Sequence, residues 1–337
     1  MDMKKRLELI RRNTAEIIGD EEIEKLLRGN RKPTAYWGTM PTGSPHIAYY
    51  FPFLKVADLL KAGVKVKILI ADLHAALDGV PWNVLDKRQR YYEALIPLML
   101  KSIGVDTKKL EFVKGSEFQL SPKYFEDLLR MSTFSNSRDA TKAASEVVKM
   151  GDNPKLAGLI YPLMQALDEE YLGADIQLGG TDQRKIFVFA RENLPKLGYK
   201  RRVEVMHVLI PGLIHEKMSS SDESSKIDML DSEEEVNRKI NRANCVAGDV
   251  NNGLMAFLKY VIFVILEDNG KNFVIERDKE YGGRVEYRNY EELARDFSAR
   301  NVHPLDLKRA VAREINGLMG DVRRDKKLGK LYREAYG

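Results

Sequence analysis

From about Lys4 to Arg28, leucine and isoleucine recur at helical spacing among lysines, arginines and glutamates, with Gly19-Asp20 as a break and a fresh N-cap. The chain therefore opens on charged, amphipathic helices. A β-α-β pattern follows: Thr34–Gly38 reads as a strand, Ala48–Ala62 as a helix ended by Gly63, and the β-branched run Val64–Ala71 as a buried parallel strand. Trp82–Gly104 reads as a long helix and Leu110–Lys114 as the next strand. Residues from Ser121 to Gly158 are polar and mostly helical, and read as an insertion. The alternation then resumes with a helix at Tyr161–Leu172, a strand at Ala174–Leu178, a helix at Thr181–Leu194 and a strand at Arg202–Leu209. From Asp231 onward the pattern is helical, with a turn at Tyr281-Gly282-Gly283. The pattern predicts an α/β fold: a Rossmann-like doubly wound parallel sheet over residues 1–230, interrupted by a helical insertion at about 121–158, then an α-helical domain over 231–337. Ligands of such a sheet bind at the carboxyl ends of its strands.

Composition narrows this picture little. The 337 residues suit two domains of ordinary size, and 44% apolar with 31% charged residues suits a soluble globular protein. The 55 basic against 50 acidic residues leave +5, which permits a polyanionic partner without requiring one. The single cysteine, Cys245, excludes an intramolecular disulfide and a multi-cysteine metal site, and fits a reducing cytoplasm. His46, His74, His207, His215 and His303 show no H-x-x-x-H spacing, so no bound metal is expected. No apolar run approaches ~18 residues, and the start Met-Asp-Met-Lys-Lys-Arg lacks an apolar segment, so neither a membrane nor a secretion signal is expected.

Two segments far apart carry candidate chemistry. In the first, the Thr34–Gly38 strand runs through Pro41-Thr42-Gly43 into a helix for which Ser44 is the expected N-cap and Pro45 the first residue. His46 would then lie at a positive helix end whose free N–H groups attract phosphate. In the second, Lys217-Met218-Ser219-Ser220-Ser221 joins an ammonium to residues small enough to fold around a polyphosphate. Neither has P-loop spacing, and together they imply a split nucleotide site. Gly179 and Gly180 would let backbone approach a nucleotide closely, and Gly38 and Gly43 are expected to do the same. Tyr161, Gln165 and Asp168 recur at i, i+4 and i+7 on one helix face, flanked by Leu163, Met164 and Leu167. A core-facing tyrosine beside two exposed polar groups is the plainer account of that spacing. Buried polar groups left unpaired cost ~1–3 kcal/mol each, so a polar ligand explains the glutamine and aspartate better.

The order of the two loops, each after a sheet-like segment, resembles the HIGH and KMSKS signatures of class I aminoacyl-tRNA synthetases. The blocks Ala35-Tyr-Trp-Gly-Thr-Met-Pro-Thr-Gly, Ala71-Asp-Leu-His-Ala, Tyr161-Pro-Leu-Met-Gln-Ala-Leu-Asp168, Gly179-Gly-Thr-Asp-Gln-Arg-Lys185 and His303-Pro-Leu-Asp-Leu-Lys308 resemble tyrosyl-tRNA synthetases of the archaeal and eukaryotic form over nearly the whole chain. The sequence departs from the first signature in having Ala48 for its glycine and Tyr49 for its second histidine. The resemblance implies activation of L-tyrosine by ATP, with Mg²⁺ as part of the substrate complex and no tightly bound cofactor. Transfer to the 3′ end of tRNA(Tyr) would follow, by a cytoplasmic homodimer joined through the insertion. It implies that His46, Lys217, Ser219 and Ser220 stabilise the departing pyrophosphate, with Met218 and Ser221 completing the ATP loop and Asp182 holding ribose. Tyr36 and Asp168 would meet the substrate phenol, Tyr161, Gln165 and Gln183 its amino group, and His74 would lie at a strand end over the pocket. Arg184 and Lys185, with Lys142 of the insertion, would face the first acceptor base pair. Tyr281, His303 and Asp306 would hold the first anticodon base by stacking and edge hydrogen bonds, making the helical domain the anticodon-binding one. Three rivals remain. A tryptophanyl-tRNA synthetase would waste Tyr36 and Asp168 on indole, and a non-tRNA adenylyltransferase of the superfamily would not need the His303–Asp306 block. A non-enzymatic RNA-binding or signalling descendant would not need both ATP loops and the tyrosine pocket.

Overall fold

The structure, a computed structural model, describes residues 1–148, 153, 155–213 and 226–337. Contacts divide it into two units: Met1–Thr42, Lys55–Glu93 and Asp106–Leu209 form the first, and Gly43–Leu54, Ala94–Val105 and Ile210–Gly337 the second.

The first unit is built on a sheet of β1 (Thr14–Ile18), β2 (Thr34–Thr39), β3 (Lys65–Ile70), β4 (Leu110–Lys114), β5 (Ile176–Gly180) and β6 (Val203–His207), in the order β1-β6-β5-β2-β3-β4. From β2 to β6 every pairing is parallel, and β1 is an antiparallel edge. Parallel neighbours require crossover connections, and helices supply them. The chain lays down β2, β3 and β4 towards one edge, then returns to the other side of β2 to begin β5. Such a reversal opens a crevice at the carboxyl ends of the two strands between which it happens, here β2 and β5.

The expected strands are all present, with ends moved by one or two residues. The opening segment differs. Asn13 adopts φ 54°, ending the helix Met3–Arg11, and Thr14–Ile18 pairs with β6 where continuous helix was expected. Three of its five residues, Thr14, Ile17 and Ile18, are β-branched, and an edge strand this short leaves no period to distinguish it from helix. The insertion holds the helices Pro122–Ser132 and Ser137–Ala144, N-capped by Ser121 and Asn136, whose side chains accept from the N–H groups of Tyr124 and Asp139. The helix Leu156–Tyr171 starts five residues before the expected Tyr161 and buries Leu163, Ala166 and Leu167 in one core with Ala140, Ala143, Ile186 and Ala190.

The second unit is mainly helical, with Glu233–Arg242, Pro304–Arg324 and Lys326–Tyr336 among its elements. It also contains an antiparallel pair, β7 (Phe273–Ile275) and β8 (Val285–Tyr287), around the Tyr281-Gly282-Gly283 turn, where only helices were expected. Strands of three residues carry no readable alternation. The Tyr50 hydroxyl donates to the Leu318 carbonyl at 3.0 Å, and the Phe51 ring lies 5.7 Å from that of Tyr260. These contacts draw Gly43–Leu54 into the second unit, where the sequence suggested a single boundary near residue 230.

Candidate active site

Asp168 lies on the buried face of the helix Leu156–Tyr171 and is 1% exposed. Its Oδ1 accepts from Gln119 Nε2 at 2.8 Å and lies 2.8 Å from the Tyr124 hydroxyl, which also reaches the Met164 carbonyl at 2.8 Å. Its Oδ2 is 3.8 Å from His74 Nε2 and has no hydrogen-bond partner among the described residues. Burial pushes this carboxyl up to about 7, against the pull of the hydrogen bonds from Gln119 and Tyr124. His74 stands edge-on to the Tyr161 ring, centroids 4.7 Å apart, and burial lowers it to about 4, so it is neutral at pH 7. Tyr36 points from β2 into the same buried region, and burial and the nearby Asp168 hold its phenol protonated. Its oxygen accepts from Gln177 Nε2 at 2.5 Å and lies 3.5 Å from the Gln165 carbonyl. Tyr161 donates to Met40 Sδ at 3.4 Å, and Gln165 Nε2 donates to Gln183 Oε1 at 3.0 Å.

Tyr36, His74, Tyr161, Gln165, Asp168 and Gln183 are thus gathered into one network at the switch point between β2 and β5. Three further members are absent from the sequence reading: Gln119, Tyr124 and Gln177. Gln177 had a readable signal, since it is the polar residue in a strand, Ile-Gln-Leu-Gly-Gly, whose every position is buried. Gln119 ends a five-residue helix with no useful period, and Tyr124 reads simply as an aromatic of the insertion.

At the carboxyl end of β5 the backbone comes close to its surroundings. A Cβ on Gly179 would lie 2.6 Å from Phe187 Cζ, and one on Gly180 would lie 2.6 Å from Asp182 Oδ1. Gly38, exposed at the end of β2, has room for a Cβ, with Leu69 Cδ2 at 3.7 Å. In the second unit Gly43 is buried. The expectation for its neighbours needs correcting: His46, not Ser44, is the N-cap residue, its backbone is extended, and the helical turn starts at Ile47. The Ile47 N–H donates to the Ile227 carbonyl and the Met229 N–H to the Pro45 carbonyl, pinning residues 45–47 as a bridge to 227–229 and keeping Ser44 and Pro45 out of the helix. The His46 ring packs edge-on against Tyr49 and is 6% exposed. Burial, aided by the Lys226 ammonium, lowers it to about 3, so it would meet a phosphate as a neutral hydrogen-bonding group. Lys217, Met218, Ser219, Ser220 and Ser221 lie outside the described residues.

Arg184 and Lys185 open the helix Arg184–Asn193. Arg184 forms a two-bond pair with the Glu16 carboxylate at 2.7 and 2.9 Å, and Lys185 pairs with Glu146 at 2.8 Å. Lys142 is exposed on the helix Ser137–Ala144. In the second unit, a cavity of about 620 Å³ is lined by Tyr281, His303 and Asp306 together with Arg277, Arg300 and Arg309. Tyr281 is 65% exposed beside Gly282 and Gly283, both at positive φ. His303 caps the helix Pro304–Arg324, its Nδ1 accepting from the Leu305 N–H, and Asp306 lies 3.8 Å from Arg309 Nη1.

The sequence pattern of the tRNA synthetases class I (W and Y) matches residues 28–320. The cytoplasmic tyrosine–tRNA ligase of Danio rerio is 47% identical over 98% of this chain, which spans 63% of that relative's length. The tyrosine–tRNA ligase of Haloarcula marismortui is 42% identical, with 100% of this chain and 99% of the relative aligned. Among solved structures, the tyrosyl-tRNA synthetase of Archaeoglobus fulgidus complexed with L-tyrosine superposes with a TM-score of 0.88 at 40% identity, covering 97% of this chain and 100% of that one. The fold, the matched pattern and these identities agree: the chain belongs to the class I tRNA synthetases (W and Y).

Proposed function

We propose that this chain is a tyrosine–tRNA ligase, which joins L-tyrosine to ATP as tyrosyl-adenylate and passes the tyrosyl group to the 3′ end of tRNA(Tyr). One observation carries the amino-acid choice within the family: a buried carboxylate, Asp168, with a partnerless oxygen in a cluster that also holds the Tyr36 hydroxyl. A phenol satisfies both groups; an indole, with one N–H donor and no acceptor, leaves the hydroxyl unmet. The names borne by the relatives point the same way.

In this reading Tyr161, Gln165 and Gln183 hold the amino group, which orients the carboxylate of tyrosine for attack on the α-phosphorus of ATP. Asp182 holds ribose, and the backbone beside Gly179 and Gly180 lies against the nucleotide. ATP enters as its Mg²⁺ complex. Neutral His46 donates a hydrogen bond to the phosphates, and Lys217, followed by Met218 to Ser221 in the sequence, brings positive charge to the departing pyrophosphate. No group on the enzyme becomes covalently attached. Positioning and charge stabilisation carry the step. The terminal ribose hydroxyl of tRNA then attacks the mixed anhydride. Arg184, Lys185 and Lys142 are assigned to the acceptor end, where Arg184 must exchange Glu16 for RNA. Tyr281, His303 and Asp306 are assigned to the first anticodon base, with the Asp306 carboxylate as the acceptor for a guanine edge.

The working protein is a cytoplasmic homodimer. Phe125 and Leu129 on the insertion helix Pro122–Ser132, with Leu120 before it, and Leu156 and Ile160 on the helix Leu156–Tyr171, are large apolar side chains left in solvent. Among the described residues no helix is long and apolar enough to cross a membrane.

The test of the amino-acid assignment is ATP–pyrophosphate exchange driven by tyrosine, tryptophan or phenylalanine. Tyrosine is expected to support exchange with a kcat/KM at least a hundredfold above the other two, since either rival leaves buried polar groups unpaired at ~1–3 kcal/mol each. Exchange driven best by tryptophan would overturn the assignment.

A further inference from the structure

A phenol has one hydrogen-bond donor and one place to accept, so a pocket that takes it whole must present one acceptor and one donor. In its ionised form Asp168 is the acceptor: Oδ1 is occupied by Gln119 and Tyr124, and Oδ2 has no partner among the described residues. Tyr36 is ambiguous by itself, because its hydroxyl can donate or accept. Were it to accept, the phenol oxygen would face two acceptors with a single proton.

Gln177 removes the ambiguity. It is 2% exposed on β5 and directly opposite Tyr36 in the register of the parallel β2–β5 pair, so strand pairing holds the two side chains together on one face of the sheet. Its Nε2 donates to the Tyr36 oxygen at 2.5 Å. The Tyr36 proton is then directed away from Gln177, towards the Gln165 carbonyl at 3.5 Å, a distance too long for a strong bond and easily given up. Gln165 belongs to the same helix face as Asp168, so the proton points to the side on which a ligand bound to Asp168 would lie.

We propose that Gln177 is a positioning residue for amino-acid selection: by donating to Tyr36 it makes the Tyr36 hydroxyl the donor to the substrate phenol oxygen, while Asp168 Oδ2 accepts the phenol proton. The inference rests on the tyrosine reading above and assigns the polarity of the phenol contacts to a residue that does not itself touch the substrate.

The test is exchange with the full chain, using tyrosine and phenylalanine, for the parent, Gln177→Met, Gln177→Asn, Tyr36→Phe and the Tyr36→Phe/Gln177→Met double variant. Methionine keeps the length and apolar volume without the amide, and asparagine keeps the amide but withdraws it by one methylene. Either is expected to lower tyrosine kcat/KM about tenfold, the worth of one well-made hydrogen bond, and to leave phenylalanine kcat/KM near the parent value. The phenylalanine rate also reports whether the variant is folded. In the Tyr36→Phe background, Gln177→Met is expected to cost nothing further in the tyrosine-to-phenylalanine ratio. Equal loss with both amino acids would make Gln177 a packing residue and overturn the proposal. So would a full tenfold loss of the ratio in the Tyr36→Phe background. A parent that prefers tyrosine, with that preference unchanged in both Gln177 variants, overturns this inference alone. A parent without tyrosine-dependent exchange removes the reading beneath it and the inference as well.

Discussion

Asp168 is kept where a carboxylate is expensive, and that has a consequence for stability. Its carboxyl titrates at about 7 in the fold against 3.8 ordinarily, chiefly through burial. Between those values the native state holds a proton that the unfolded chain has lost. The contribution of Asp168 to stability is therefore fully present below about pH 4 and is lost as pH rises through 7. Glu169 and Glu204 are shifted in the same direction by burial, Glu204 to about 8, so the parent should weaken by more than one group's share on going from pH 5 to pH 8. Asp168→Asn retains an acceptor for Gln119 and Tyr124 without the titration. Thermal melts at pH 5 and pH 8 should show the fall in stability reduced by on the order of 2 kcal/mol in the variant. An equal fall in both proteins would mean that Asp168 ionises in the fold without cost. The same residue shows how much of the site was legible. Asp168 stood out as a polar residue on an apolar stripe, and Tyr36 entered with the family resemblance. The partners that occupy Oδ1 and leave Oδ2 without a partner among the described residues, Gln119 and Tyr124, come from segments more than 40 residues away in sequence, and no local period links them to it.

At the scale of elements, strength of local signal decided what could be read. The helix Glu233–Arg242 announces itself: three glutamates in its first turn, Lys239 and Arg242 in its last, and a serine before it. The structure completes a capping box there, with the Ser232 hydroxyl accepting from the Glu235 N–H at 3.2 Å and the Glu235 carboxylate accepting from the Ser232 N–H at 3.2 Å. Ser232→Ala removes the first of these bonds and should cost ~1 kcal/mol, read as a lower urea midpoint for loss of helical circular dichroism. An unchanged midpoint would mean that the ion pair of Asp231 with Lys239, 2.6 Å long, fixes the helix start without the cap. By contrast β1, β7 and β8 are strands of five, three and three residues whose pairing partners, not their own sequence, make them strands. The same holds at His46: Pro45 and Ser44 favour a helix start locally, and a backbone bridge to Asp228 overrides them.

For the whole molecule, the alternation of elements made the doubly wound sheet legible, while the division into units was not, because Gly43–Leu54 and Ala94–Val105 join the second unit through contacts that no linear boundary can express. The proposed homodimer is the property that reaches beyond one chain. Leu120, Phe125, Leu129 and Leu156 are each more than half exposed; Phe125 and Leu129 lie on the helix Pro122–Ser132, Leu120 just before it, and Leu156 on the helix Leu156–Tyr171 that packs against it. Phe125 with Leu129 and Leu156 with Ile160 are i, i+4 pairs, so each helix presents an apolar ridge rather than scattered contacts. Burying a side chain of this size on both sides of an interface stabilises association by ~1.5–3 kcal/mol each, offset by the entropy of docking. Sedimentation of the parent at micromolar concentration should give twice the 38.5 kDa chain mass. Leu129→Asp together with Leu156→Asp should shift it to the single-chain value, because charges would then be buried without partners. Both positions are exposed in the chain itself, so the fold and its helical circular dichroism should be retained. A parent that sediments as one chain would leave the ridges without a second copy as their partner. A double variant that stays at twice the chain mass would move the dimer contact elsewhere on the surface.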